Sequence, residues 1–128
     1  MDSTASYLNS ITGQIVDAAF QVHTNLGPGL LESVYHKCML VELKERKISV
    51  QSEAAIPILY KEQDIDANFR IDLLVENEII VELKSVEQML PVFDAQLLTY
   101  MKLSNKKVGL LINFNVPVIK KGIKRFVL

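Results

Sequence analysis

Three ionisable side chains interrupt runs that are otherwise apolar: Asp72 within FRIDLLV (69–75), and Glu82 and Lys84 within IIVELKS (79–85). Two carboxylates brought together repel by roughly 4 kcal/mol at about 4 Å and an effective dielectric of about 20, so such a pair needs compensating positive charge. Lys84 supplies part of it. A divalent cation taking one oxygen from each carboxylate would supply the rest, because hard cations such as Mg2+, or Mn2+ in its place, prefer oxygen ligands. The same residues also read as a solvated sheet face with an ordinary surface ion pair, and the spacing by itself does not choose between the two.

The choice rests on the elements that must position these groups. Residues 69–85 are two β-branched and Leu-rich runs divided by the polar break Glu76-Asn77-Glu78, which is the pattern of a hairpin. A three-residue connection pairs Val75 with Ile79, Leu73 with Val81 and Asp72 with Glu82, and puts Asp72, Leu74, Ile80, Glu82 and Lys84 on one face. Ile71, Leu73, Val75, Ile79, Val81 and Leu83 then form an apolar face for the core. A two-residue loop would shift the pairing by one and separate Asp72 from Glu82.

Upstream, Gly27-Pro28-Gly29 reads as a break between two helices. The helix after it, running to about Arg46, carries Leu31, Val34, Tyr35, Cys38 and Val41 as its apolar stripe and Glu32 in its first turn, where the helix dipole favours a carboxylate. Downstream, Pro91 suits a first helical position, and Gln96 and Tyr100 lie four apart on one helix face, able to contact a phosphate or a water. They read equally as a helix side between solvent and core.

The segments GLLESVY (29–35), Asp72 followed by Glu82-Leu83-Lys84, and QLLTY (96–100), with the tail GLLINFN (109–115) and GIKR (122–125), resemble the GxxExxY family of the PD-(D/E)XK nuclease-like superfamily. The resemblance runs from about Ile11 to the C-terminus. It implies an α/β fold with an αβββαβ restriction-endonuclease-like core, a mixed central sheet flanked by helices, and an extra helix at the N-terminus. It further implies that the acidic residues bind Mg2+ and that the lysine assists an attacking water. Members of the family often carry a histidine shortly before the glutamine, where this chain has Phe93 and Asp94.

The residues suit that chemistry. Phosphodiester hydrolysis needs a hydroxide nucleophile, a Lewis acid on the phosphoryl oxygen and stabilisation of developing negative charge, which a carboxylate-held Mg2+ beside a lysine can supply. The expected metal ligands are Asp72, Glu82 and the backbone carbonyl of Leu83. Lys84 orients or activates the water, Glu32 is a further ligand or base, Gln96 steadies water or substrate, and Tyr100 and Lys102 contact substrate.

Composition bounds the partners. The 128 residues suit one domain, and a hydrophobic content of 49% leaves apolar surface that a homodimer would cover. Net charge is -1, yet no acidic residue follows Asp94, while Lys102, Lys106, Lys107, Lys120, Lys121, Lys124 and Arg125 do. That basic third suits phosphate contacts to DNA or RNA, or simply lies at turns and on solvated faces. Aromatic content of 7% without tryptophan gives no stacking platform for single strands. Cys38 is the only cysteine, so no disulfide forms within the chain, and His23 and His36 lack partners at zinc spacing. The polar first ten residues and the absence of a long apolar run predict a cytoplasmic chain without a membrane span.

Overall fold

The computed structural model describes residues 3–128. Two helices, α1 (Ser3–Leu26) and α2 (Glu32–Glu45), precede strands β1 (Val50–Tyr60), β2 (Gln63–Val75) and β3 (Ile79–Lys84). Helix α3 (Pro91–Ser104), β4 (Val108–Asn113), a single 3-10 turn (Ile119–Gly122) and β5 (Ile123–Val127) complete the chain. The strands form one sheet in the order β1-β2-β3-β4-β5, with β3 and β4 parallel and the other neighbours antiparallel. From α2 to β4 this is the expected αβββαβ core with a helix added in front. No helix among the described residues is long and apolar enough to cross a membrane.

Cores lie on both faces of the sheet. On one face Ile15, Val22, Tyr35 and Met39 of α1 and α2 pack against Leu73, Val81, Leu83 and Ile112. On the other, Leu97 and Met101 of α3 pack against Leu74, Ile80 and Leu111. Burial on both sides is why β3 and β4 read as continuous apolar runs rather than alternating ones. Gly109 lets α3 approach β4 closely, since a Cβ there would meet the Met101 sulfur and the Leu97 side chain.

The β2–β3 register is the expected one: Val75 opposes Ile79 and Leu73 opposes Val81, across a connection in which Glu76 and Asn77 adopt left-handed backbone. Pro57 lies in edge strand β1, and the register shifts between Pro57 and Leu59 because proline cannot donate to the ladder. Other local readings change. The polar stretch Lys61–Asp66 turns only at Lys61-Glu62, both at positive φ, so β2 starts at Gln63. Ile71 packs on the α3 side rather than with Leu73. The strand pair switches faces at Glu53 (φ 51) and Asp72, where the β1–β2 pairing skips one step and resumes in the same register. Along α2 the buried stripe is Tyr35, Met39 and Leu43, leaving Leu31 and Val41 exposed and Val34 and Cys38 half-buried.

Candidate active site

The β2–β3 ladder ends at Leu73 and Val81, and one step beyond it the two carboxylates take over the backbone hydrogen bonding. The Asp72 N–H donates to Glu82 Oε2 (2.8 Å), and the Leu83 N–H donates to Asp72 Oδ2 (2.9 Å). Each side chain thus grips the backbone of the opposite strand with one oxygen. The other oxygens, Asp72 Oδ1 and Glu82 Oε1, have no hydrogen-bond partner among the described residues, and neither is a sealed, unsatisfied atom. The Leu83 carbonyl leaves β3 on the same edge as its N–H, toward Asp72.

Lys84 ends β3 opposite Asn113 of β4, and its carbonyl accepts the Phe114 N–H (2.9 Å). Beyond Lys84 the chain is clamped by the buried Asn113 side chain. Asn113 Oδ1 accepts the Val86 N–H (3.1 Å), and Asn113 Nδ2 donates to the Val86 carbonyl (3.0 Å). The Lys84 ammonium makes no ion pair among the described residues; it sits 4.3 Å from the centroid of the Phe93 ring.

Glu32 opens α2 at the end of a loop stapled to this strand. Gly27 (φ 70) and Gly29 (φ 97) let the chain turn. Tyr35, fully buried and stacked on Phe114 with centroids 4.5 Å apart, donates its hydroxyl to the Gly27 carbonyl (2.7 Å) and accepts the Leu30 N–H (3.1 Å). Ser85 Oγ, next to Lys84, donates to the Leu30 carbonyl (2.6 Å). The glycine, glutamate and tyrosine of GLLESVY therefore have one physical logic: a turn, the carboxylate it delivers, and the phenol that fixes the turn. The Glu32 side chain enters a cleft of about 380 Å³ between α2 and β1, lined also by Ser33, His36, Lys37, Leu40, Ser52, Glu53 and Asp72. A larger hollow of about 510 Å³ beside Lys44 and Val50 holds no carboxylate.

The electrostatics follow from crowding acids in a half-dry place. Glu82, 6% exposed, is pushed up to about 8, first by burial and then by the Asp72 charge, with Lys84 opposing. Asp72 is raised by burial, against the lowering effects of the Leu83 N–H, His36 and Lys84. Glu32 is raised by burial and by Asp72, with Lys84 and His36 opposing. On α3, Phe93, Gln96 and Tyr100 are three and four apart and form one ridge. Burial raises the Tyr100 phenol, and the charges of Glu82 and Asp72 add to it; its ring stacks on Phe69 at 4.3 Å. Gln96 is exposed, and Lys102 is exposed about 200° around the helix from Tyr100.

Sequence reasoning missed Ser52, Glu53, His36 and the role of Phe93. His36 lies one turn after Glu32 on the same helix face, a spacing that would have found it, and its Nε2 is 2.8 Å from Ser52 Oγ. His23 is half-buried with its Nε2 2.7 Å from the Val116 carbonyl, tying α1 to the segment after β4.

A family model described as the PD-(D/E)XK nuclease superfamily matches residues 9–126. The chain belongs to that superfamily. The match begins within α1 and ends within β5, so it contains every element of the core. No curated protein and no solved structure matches the chain. PD-(D/E)XK nucleases generally use divalent metal ions. Among the described residues no three His, Cys, Asp or Glu side chains gather closely enough to cage an ion. The donors present are two carboxylates with one open oxygen each and a carbonyl on the same edge. They fit a cation such as Mg2+, which is commonly held by one or two carboxylates, with waters and substrate phosphate completing the shell.

Proposed function

We propose that this chain, as a member of the GxxExxY branch of the superfamily, is a Mg2+-dependent nuclease that hydrolyses phosphodiester bonds of DNA or RNA. The supporting observation is the pair of carboxylates at the end of the β2–β3 ladder, each anchored by one oxygen and open at the other. In this reading Asp72, Glu82 and the Leu83 carbonyl hold the ion, which when bound supplies Lewis acidity to the phosphoryl oxygen and to a water. Lys84 orients that water, Glu32 accepts a hydrogen bond or proton from it, and the ridge of Gln96 and Tyr100 borders the substrate. Lys102, facing away from the ridge, is left for phosphate outside the cleft. The exposed Leu59, Tyr60 and Ile65 of the β1–β2 hairpin favour a homodimer.

Calorimetric titration of Mg2+ or Mn2+ tests the centre without a known substrate. Asp72→Asn is the informative variant, because its amide oxygen can still accept the Leu83 N–H. A single-site isotherm in the native chain that vanishes in Asp72→Asn, together with metal-dependent cleavage that Lys84→Ala abolishes, is the expected result. Cleavage indifferent to chelator would refute the metal role. Nucleic-acid binding with no turnover, unchanged by Lys84→Ala, would identify a non-catalytic binding module.

A further inference from the structure

We propose that Phe93 is a positioning residue whose ring holds the Lys84 ammonium off the Asp72 and Glu82 carboxylates, keeping their open oxygens available to a divalent cation. Lys84 is two residues from Glu82 on the same strand, and its charge is felt by Glu32, Asp72 and Glu82, yet it forms an ion pair with none of them. Its close contact is the ring, with Nζ 4.3 Å from the Phe93 centroid, well inside the range of a cation–π interaction.

The ring is itself fixed. Pro91 starts α3, the Phe93 N–H donates to the Leu90 carbonyl (3.0 Å), and Asp94 is bound to Lys124 of β5 (3.1 Å), which pins the first turn of the helix. The Phe93 side chain packs against the core beneath α3. Without the ring, a flexible four-carbon stem would be free to swing its charge toward the open oxygens of Asp72 and Glu82, two acids on which that charge already acts. An ion pair there would occupy the positions a cation needs.

The metal half of this inference rests on the proposed function; the contact itself does not. Two measurements separate them. In the metal-free chain, the Lys84 side-chain methylene protons should show an upfield ring-current shift by NMR, lost in Phe93→Leu and kept in Phe93→Tyr. In calorimetry with Mn2+, Phe93→Leu should bind about two- to fivefold more weakly than the native chain, Phe93→Tyr within twofold of it. Phe93→Leu/Lys84→Met should recover the native affinity, because the competing charge is gone. A loss of stability alone would not be reversed by removing Lys84, so this recovery distinguishes positioning from packing. Unshifted Lys84 protons in the native chain, or a double variant as weak as Phe93→Leu, would overturn the inference. A shifted Lys84 in a native chain that binds no Mn2+ would support the ring's hold on the lysine while refuting the metal reading of the site.

Discussion

The raised carboxyl of Glu82 makes the metal-free fold sensitive to pH in a defined direction. In the unfolded chain this group loses its proton near 4.5, and in the folded chain it holds the proton until about 8. The folded state therefore binds the extra proton between those values, and stability falls as pH rises through that window. At about 1.4 kcal/mol per pH unit, the drop contributed by Glu82 approaches roughly 5 kcal/mol. Asp72 and Glu32 are shifted in the same direction and add to it. A fold of this size has a total stability of about 5–15 kcal/mol, so the loss is a large share of it.

Urea unfolding with chelator present, from pH 5 to pH 8.5, measures the effect. With a slope of about 2 kcal/mol per molar urea, the midpoint should fall by roughly 2 M between the two ends. Glu82→Gln cannot ionise, keeps an acceptor for the Asp72 N–H, and should show a much flatter profile that crosses above the native one on the alkaline side. Millimolar Mg2+ should restore the native midpoint at pH 8.5 and leave Glu82→Gln unmoved. A native midpoint that is constant across the range in chelator, or a Glu82→Gln profile with the native slope, would refute the argument that Glu82 is buried at electrostatic cost.

Tyr35→Phe should lower stability by about 1–3 kcal/mol in urea unfolding, since it strips the Gly27 carbonyl and the Leu30 N–H of their shared partner; weaker metal binding should accompany it because Glu32 follows that loop. Asn113→Ala leaves both polar groups of Val86 without the amide that bonds them and should cost about 2–4 kcal/mol by the same assay. Gly122→Ala would drive a methyl group into the Asn113 carbonyl, so a melting temperature lower by several degrees is expected, corresponding to about 1–3 kcal/mol.

The polar break Glu76-Asn77-Glu78 placed the β2–β3 hairpin, and of the two loop lengths it allowed the three-residue connection is the one that gives the observed register and brings Asp72 and Glu82 together; because β3 is apolar on both faces, its pattern alone does not choose between them. In α1 the helical spacing of Ile11, Ile15, Ala18, Ala19 and Val22 marks the inward face, and all five are buried. The stripe of α2 was not legible, because Leu40, Val41 and Leu43 follow one another closely and several phases of a 3.6 period fit them. The side taken by Ile71 depends on a left-handed glutamate at position 53, a conformation whose residue type gives no sequence signal. Phe93 reads as a core residue of α3, and nothing along the chain connects it to a lysine nine positions earlier.

The placement of the two acids at the end of a ladder explains how an apolar sheet tolerates them. Where Asp72 and Glu82 meet, the β1–β2 pairing skips one step and the β2–β3 ladder has ended, which would orphan the N–H groups of Asp72 and Leu83. The carboxylates replace the missing carbonyl acceptors, so their burial is compensated by hydrogen bonds that the sheet itself cannot make there. One oxygen of each is thereby committed to the fold, and the second remains for a cation. Truncation of either side chain removes an acceptor as well as a ligand, whereas the isosteric amides Asp72→Asn and Glu82→Gln retain the acceptor and remove the charge. A site assembled this way separates structural from chemical roles by oxygen atom rather than by residue, and only substitutions that respect that division can report on its chemistry.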